Sequence, residues 1–267
     1  MSEQPEERVR LGGMALRNGI LVHSMDHWAA AVRTEDGRIE MASGRKPELP
    51  EVLVGMPVLR GVARMAELLY LLPTLRRRLP DARLPMEGPG LAAALAGSAI
   101  LTQVVRRSRL PAVVVESVAA GVSLVPALAA VRGSQLAGYH GAEHKAIGGY
   151  EQGTDAIDVA KEHERCGSHM VGPILVATVA GNVLVARMPA NRRGPARIAA
   201  GFAAVGMATE AFAWMTRNRE HPVARALSRP GYHLQRVAAT REPTDEELQV
   251  ARTALDEVLR LEGAAEA

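Results

Sequence analysis

The sequence predicts a mainly α-helical fold. We expect a multi-pass α-helical membrane bundle of about four spans, with a small N-terminal β-rich cytoplasmic region and a C-terminal soluble helix. The chain of 267 residues is 48% hydrophobic, yet its mean hydropathy is zero. The apolar residues are concentrated in four long runs between two polar terminal stretches, so the average combines two kinds of segment. Four regions result: 1–57, 58–87, 88–216 and 217–267.

The N-terminal region, residues 1–57, is expected to be rich in β-structure. Two short strand-like runs flank the turn sequence Thr34-Glu35-Asp36-Gly37, which predicts a β-hairpin. The pairs Gly12-Gly13 and Asn18-Gly19 interrupt the preceding residues as turns or bulges do. The first residues lack the apolar core of a signal peptide, so we expect this region in the cytoplasm.

Region 58–87 is predicted to hold an amphipathic, interfacial helix up to about residue 78, followed by a linker. Arg60, Arg64 and Glu67 are expected on its exposed side. Arginine runs near residues 76–78 and 106–109 could indicate nucleic-acid binding. They flank apolar segments, however, as anchors at a membrane interface do. No aromatic residues that could stack on bases are interleaved with them. We therefore expect no nucleic-acid partner.

The membrane bundle is predicted from four apolar runs that carry almost no charge. They cover residues 88–105, 111–131, 171–188 and 196–215. A bilayer-spanning helix needs about 20 predominantly apolar residues, so two runs are long enough and two are slightly short. The alternative is a soluble all-α core rich in alanine and valine. The spans favour the lipid bilayer of the cell (inner, cytoplasmic) membrane as a partner.

Four spans would place both termini and the loop 132–170 on one side of the membrane. The loops 106–110 and 189–195 would then lie on the other side. Arginines occur on both sides, so the positive-inside rule does not decide the orientation. The expected cytoplasmic N-terminal region places the termini in the cytoplasm.

The C-terminal region is predicted to contain an amphipathic helix. Thr244 and Glu247 form a capping-box pattern, and the apolar period continues to about Leu261, with Gly263 as the terminating residue. One face of this helix is apolar and consists of Leu248, Ala251, Leu255 and Leu259. We expect that face to pack against the N-terminal β-rich region.

The most specific local pattern is H-x-x-E-H, formed by His140, Glu143 and His144. Histidines four residues apart lie on the same face of a helix and can bind one metal ion. Glu143 is close enough to act as the general base toward a water that the metal activates. This is the reversed order of the zincin motif, known from one class of metalloproteases. Two histidines do not complete a site, so a third ligand must come from elsewhere in the chain.

The candidate third and fourth ligands are His163 and Cys166, about twenty residues downstream. The chain has a single cysteine, so Cys166 is either a free thiol or a metal ligand. Residue type alone favours a small buried hydrophobic residue for it. A closed site of both His140 and His144 with His163 and Cys166 would be structural, whereas three protein ligands and a water would be catalytic. The spacing does not separate these alternatives. The expected cofactor is a divalent metal ion, of the zinc type.

Two carboxylates interrupt the apolar runs. Glu116 lies about five residues into the second run, and Glu210 lies near the end of the fourth. Carboxylates inside a membrane are costly and usually functional. We expect them either to support the metal-binding histidines or to mark a polar path, although Glu210 is near enough to a helix end to reach the interface.

Several blocks together resemble a known family. These are Tyr139–Lys145 (YHGAEHK), the RCG block at Cys166 and the TREP block at residues 240–243. In this order they are similar to the YqhQ-like bacterial membrane proteins, a domain of unknown function labelled as metal-dependent enzymes. The resemblance covers about residues 10–257 and implies a multi-pass membrane protein. It assigns the family's histidines and glutamate to His140, Glu143 and His144, its H-x-R-C-G block to His163 and Cys166, and its later acids to Glu210 and Glu242.

Two functional hypotheses follow. The first is a metal-dependent membrane enzyme of hydrolytic type, with a peptide or a lipid-linked substrate at the membrane face and Glu143 as general base. The second is a non-enzymatic membrane protein for transport, assembly or scaffolding, in which the metal closes the loop 132–170 structurally. A site with an open coordination position distinguishes the first from the second.

Overall fold

The computed structural model describes residues 8–88, 90–131 and 135–264. Near the N-terminus, four antiparallel strands form one sheet in the order β1-β2-β3-β4. The strands are β1 (Gly12–Leu16), β2 (Gly19–His23), β3 (His27–Arg33) and β4 (Ile39–Arg45). The predicted hairpin is confirmed, and Gly37 in its turn has a φ of 85°, a left-handed conformation that glycine adopts without strain.

Ten α-helices account for most of the remaining described residues. They are α1 (Glu51–Gly55), α2 (Leu59–Arg78), α3 (Leu91–Arg106), α4 (Ala112–Ser123), α5 (Val125–Val131), α6 (Gln135–Gln152), α7 (Val171–Ala186), α8 (Arg193–Arg217), α9 (Pro222–Leu234) and α10 (Asp245–Leu261). A short 3₁₀ turn, Gly167–Met170, precedes α7, and a π-helical turn, Gln235–Ala239, follows α9. The predicted mainly α-helical class with a small N-terminal sheet is confirmed.

The sheet lies between two helical layers because its strands alternate apolar residues toward both faces. On one face, Ile20, Val22 and Ala31 pack against α6 and α10. On the other face, Leu21 and Trp28 pack against Leu75 and other apolar residues of α2. Burying both faces fixes the register, since a shift by one residue would exchange the two sets of side chains.

The C-terminal helix forms as its sequence predicts. The Thr244 hydroxyl accepts a hydrogen bond from Glu247 N–H, and the Glu247 carboxylate accepts one from Thr244 N–H. This reciprocal cap satisfies two backbone donors that the first turn leaves without helical partners. All four residues of the predicted apolar face are buried. That face packs on the sheet and on α6, as expected.

Helix α2 occupies the predicted range, but one of its side chains lies elsewhere than expected. Arg60 and Arg64 are on the partly exposed side, whereas Glu67 is only 4% exposed. The prediction that Glu67 is exposed is wrong because Lys46 is buried beside it, with Nζ 3.3 Å from Glu67 Oε2. Arg64 also contacts this carboxylate at 3.2 Å. The two cations offset the cost of burying the charge.

Three helical stretches are long and apolar enough to cross a membrane by length and composition. They are Ala112–Val131, which contains α4 and α5, Gly167–Ala186 and Ala190–Arg217. The first predicted run differs, since its helix α3 has 16 residues. At 1.5 Å per residue it is about 24 Å long, shorter than the roughly 30 Å hydrocarbon core. Among the described residues, three helices therefore meet the criterion where the sequence predicted about four.

Candidate metal centre

Helix α6 carries the H-x-x-E-H motif inside the molecule. The predicted connection 132–170 is thus not an extended loop: much of it is a helix whose residues from Leu136 to Gly149 are nearly all buried. Because His140 and His144 are one turn apart, their rings are 4.3 Å apart, centroid to centroid. His140 Nε2 lies 3.4 Å from the Sγ of Cys166. One ligand atom from each of His140, His144 and Cys166 lies within 4.8 Å of the others.

Backbone carbonyls fix both imidazoles with the same nitrogen facing the cluster. His140 Nδ1 is 2.9 Å from the carbonyl oxygen of Ala239, and His144 Nδ1 is 2.6 Å from that of Lys161. A carbonyl oxygen only accepts, so each Nδ1 carries the proton. Each Nε2 therefore presents a lone pair to the cluster when the ring is neutral. This arrangement is the usual outer shell of metal-binding histidines.

Burial keeps the second histidine neutral. It holds the pKa of His144 well below the ordinary value, and the neighbouring His140 acts in the same direction. Within the described residues, His144 Nε2 is buried and has no hydrogen-bond partner. A buried nitrogen without a partner is costly. It is accounted for if this atom serves as a metal ligand.

Cys166 is placed by the start of a 3₁₀ turn. It is the N-terminal capping residue of Gly167–Met170, and its Sγ accepts a hydrogen bond of 3.4 Å from Ser168 N–H. Burial raises the pKa of the thiol, whereas Ser168 lowers it. A thiol held at 3.4 Å from an imidazole lone pair gives the cluster two nitrogen donors and one sulfur donor.

Glu143 lies between the cluster and strand β1. Burial raises the pKa of its carboxyl to about 7, partly opposed by His140 and by a backbone hydrogen bond from Ala15. Gly13 leaves room for it, since a Cβ there would come within 2.5 Å of Glu143 Oε1. Glu143 Oε2 is buried and, among the described residues, has no hydrogen-bond partner. The residue is thus a buried carboxyl with one free oxygen, close to both candidate ligand histidines.

The donor set fits a zinc-type ion. Zinc–nitrogen and zinc–sulfur bonds of about 2.0 and 2.3 Å in tetrahedral geometry place a nitrogen and a sulfur ligand about 3.5 Å apart. The 3.4 Å between His140 Nε2 and Cys166 Sγ matches that spacing. Two imidazoles and one thiolate also suit the borderline-soft character of zinc.

Comparison with known proteins identifies the family. Residues 92–261 match the family described as "Protein of unknown function (DUF1385)". The chain belongs to this DUF1385 family. It is also 33% identical, over 133 residues, to the "Uncharacterized protein YqhQ" of Bacillus subtilis (strain 168). That similarity covers 48% of this chain and 42% of the relative, so the chain matches less than half of the relative's length. The resemblance inferred from the sequence is confirmed. No solved structure matches the chain.

The family-matching region includes a buried glutamine that sequence reasoning missed. Gln235 lies in the π-helical turn and is fully buried. Its Oε1 accepts a hydrogen bond from His163 N–H at 2.7 Å, and its Nε2 donates to Ser168 Oγ at 2.8 Å. The same turn ends at Ala239, whose carbonyl orients His140. π-Helical turns are frequent at functional sites, but no local pattern around Gln235 indicated one.

His163 lies beside the cluster without facing it. Its ring is 5.5 Å from that of His144, centroid to centroid. Its Nδ1 accepts a hydrogen bond from Arg165 N–H at 3.3 Å, and its Nε2 is 3.2 Å from a carboxylate oxygen of Glu151. Both ring nitrogens are therefore engaged by neighbours. The structure brings His140, His144 and Cys166 together and leaves His163 outside the group.

The three other acidic candidates contact basic side chains away from the cluster. Glu116 is 2.9 Å from Arg106 and 3.5 Å from Arg197. Glu210 pairs with Arg60, joining α8 to α2. Glu242 pairs with Lys145, one residue after the motif. Each of these carboxylates is paired with a cationic side chain. None of the three is among the residues that group with the two histidines.

A cavity of about 550 Å³ borders the cluster. His140, Glu143, His144 and Cys166 line one part of it. Much of the rest is lined by apolar side chains from the sheet and several helices, including Leu11, Met14, Leu68, Ile147 and Phe212. Phe212 belongs to α8, so the cavity extends from the cluster to one of the long apolar helices.

Proposed function

We propose that this protein is a metal-dependent hydrolase of a membrane face, with a zinc-type ion bound by His140, His144 and Cys166. The observation that carries the proposal is the pair of Nδ1–H donations to Ala239 and Lys161. They orient both Nε2 lone pairs toward the cluster that contains the cysteine sulfur. Among the described residues, the buried Nε2 of His144 has no hydrogen-bond partner. Buried polar atoms are normally hydrogen-bonded, so a purely structural role of this ring leaves the free nitrogen unexplained.

Such an ion, when bound, supplies a Lewis acid and lowers the pKa of water at its open position to about 7. The chain supplies the proton transfers. Glu143 has a free Oε2 beside the cluster, so this oxygen accepts the proton of the attacking water and returns it to the leaving group. Gly13 leaves the room that the carboxyl occupies, because a Cβ there would lie 2.5 Å from Glu143 Oε1. His140 and His144 stay oriented through their carbonyl partners.

Three candidate ligands, and not four, come together among the described residues, which favours an enzyme over a structural metal site. The structural alternative needs a fourth protein ligand, and His163 is the candidate. Its Nδ1 accepts from Arg165 N–H and its Nε2 lies against Glu151. Closing the site would require His163 to give up one of these contacts.

The proposed membrane location rests on exposed apolar helices. Val176 and Leu184 of α7 and Ile198 and Phe202 of α8 are each more than 60% exposed. Soluble proteins rarely expose large contiguous apolar surfaces. A bilayer would cover these faces, and the cavity would then open close to its surface. We place the protein in the cell membrane, with the sheet in the cytoplasm.

The test compares the wild-type chain and three variants, purified in detergent, for bound zinc and for cleavage of quenched fluorogenic peptides and acyl esters. Glu143→Gln keeps its metal and loses at least 100-fold in rate, because a general base contributes about 10²–10⁴. His140→Ala/His144→Ala loses both metal and activity. Glu246→Gln, an exposed glutamate of α10, behaves as wild type.

Two results would contradict the proposal. If the double histidine variant bound as much metal as the wild type, the two histidines would not be metal ligands. A fully active Glu143→Gln protein would remove the assigned general base and leave a structural metal as the better account.

A further inference from the structure

Strand β1 is an edge strand beside the candidate site. It pairs with β2 alone in the described sheet. Arg33 N–H donates to Asn18 O at 2.7 Å, so the backbone of Asn18 faces β3. Backbone groups alternate along a strand, hence those of Gly19, Leu21 and His23 face β1. Their partners Leu16, Met14 and Gly12 bond back to β2. The groups of Gly13 and Ala15 therefore point outward at the free edge.

The outward edge of β1 borders the candidate metal centre. A Cβ on Gly13 would lie 2.5 Å from Glu143 Oε1, and the backbone of Ala15 lowers the pKa of the same carboxyl. Gly13 borders the cavity, and within the part of the chain that the structure describes its outward N–H and C=O groups have no partner. Farther along the same edge, Arg17 N–H is taken by Arg83 O at 2.8 Å. The free stretch thus runs past Gly13 toward Leu11, alongside the proposed general base.

We propose that the substrate is an extended polypeptide segment that pairs with the free edge of β1 at Gly13. This inference rests on the proposed hydrolase function. An unpaired strand edge offers alternating donors and acceptors that only another extended backbone matches in full. A lipid-linked sugar or an acyl ester has no such repeating pattern. Pairing at Gly13 brings a peptide carbonyl next to Glu143 and the ligand cluster.

The cavity lining determines which side chain is accepted. A strand on this edge directs alternate side chains to the same side. Those that enter the cavity on the α6 face of the sheet meet Leu11, Leu136 and Ile147. An apolar residue next to the cleaved bond is therefore preferred over a charged one. In the reaction, water oxygen bonds to the peptide carbon, the C–N bond breaks, and a carboxylate and an amine are released, with Glu143 moving the proton.

The experiment measures binding, so that it does not depend on turnover. The Glu143→Gln chain in detergent is titrated into positional-scanning pools of fluorescein-labelled octapeptides, with and without chelator. At one position, pools with fixed Leu, Ile, Val or Phe bind at least tenfold tighter than those with Asp or Lys. The best peptide is then N-methylated at each position in turn. Methylation at alternate positions weakens binding tenfold or more and at the intervening positions changes it less than twofold.

The outcomes separate this inference from the hydrolase proposal. Alternating N-methyl effects that persist in chelator support the edge, even if no hydrolysis is found. Failure of every pool to bind, or N-methyl effects without alternation, overturns it even if the chain hydrolyses other substrates. Binding of a fluorescent dodecanoyl amide in place of all peptides also overturns it and favours an acyl substrate.

Discussion

Gln235 connects three parts of the candidate metal centre at the scale of a single residue. Its side chain bonds to His163 N–H and Ser168 Oγ on either side of Cys166. Its backbone belongs to the π-helical turn that ends at the Ala239 carbonyl behind His140. One buried amide thus fixes the cysteine segment relative to helix α6. We classify it as a positioning residue, since it does not touch the ligand atoms.

We predict that Gln235→Leu destabilises the protein and loosens the site. The leucine leaves the buried His163 N–H without its partner, at a cost of about 1–3 kcal/mol. Outer-shell substitutions lower metal affinity about 10- to 100-fold, and we expect this range for zinc. Thermal unfolding and competition with a fluorescent chelator measure the two effects. The control is Gln249→Leu on the exposed side of α10. If the Gln235→Leu variant bound zinc with unchanged affinity, Gln235 would not position the metal ligands.

The residues of the site differ in how well the sequence predicts them. His140, Glu143 and His144 lie within about one and a half helical turns, so helix geometry places them on the same face. Cys166 is nearby in sequence and the only cysteine. Gln235 and Ala239 come from a segment about 70–100 residues away from their partners. Nothing local indicates such a contact, because it depends on how α9 packs on the segment before α7.

At the scale of elements, helix α6 is held by close backbone contact with the TREP segment. Arg241 N–H donates to Ala137 O at 3.0 Å. A Cβ on Gly141 would lie 2.1 Å from Arg241 O, which is backbone and cannot move aside cheaply. The glycine therefore lets the segment 240–243 approach the helix that carries the motif. The ion pair between Lys145 and Glu242 joins the same two elements.

We predict that Gly141→Ala destabilises the fold although alanine is the better helix former. The gain in helix propensity is about 1 kcal/mol, and overpacking against backbone costs about 1–3 kcal/mol. The matched control is Gly201→Ala in α8, where a Cβ meets nothing within 4 Å. Thermal unfolding should lower the Tm of Gly141→Ala and leave that of Gly201→Ala unchanged or raised. Equal shifts in the two variants would contradict the close contact.

The sequence predicts an element closely where a capping or turn motif marks its end. It does not predict the features that depend on contacts with a distant element. The capping box at Thr244 marks the start of α10. The turn that contains Gly37 marks the connection between β3 and β4. Glu67 was assigned to the wrong side of α2, because its burial depends on Lys46 from a different element. The apolar run 88–105 does not coincide with helix α3, because the helix begins only at Leu91.

At the scale of the whole molecule, the sheet constrains how the chain would cross a membrane in the placement that we propose. The sheet precedes α3, α6 lies between α5 and α7, and α10 follows α8, yet all three pack into one core. If the chain spans a membrane as proposed, an even number of crossings separates each of these elements from the next, because they lie on the same side. Helices α7 and α8 satisfy this as a pair. In that placement, α3 crosses together with the stretch formed by α4 and α5, although α3 is shorter than the hydrocarbon core. Glu116, Arg106 and Arg197 join the far ends of this bundle.

We predict that the two short connections lie across the membrane from the sheet. In a Cys166→Ser background, Ser108→Cys and Asn191→Cys should react with an impermeant maleimide from the outside of intact cells. Glu220→Cys, between α8 and α9, should react only after the cells are opened. Labelling of Ser108→Cys from the same side as Glu220→Cys would exclude the paired crossing of α3.

Zinc-edge X-ray absorption on the purified wild-type chain tests most directly whether a zinc-type ion has three protein ligands and one open position. We predict close to one zinc per chain, with two imidazole nitrogens and one sulfur at about 2.0 and 2.3 Å, and one non-imidazole oxygen. A spectrum with three imidazoles and one sulfur would identify a closed structural site with His163 as the fourth ligand. A wild-type chain without bound metal would contradict the account as a whole.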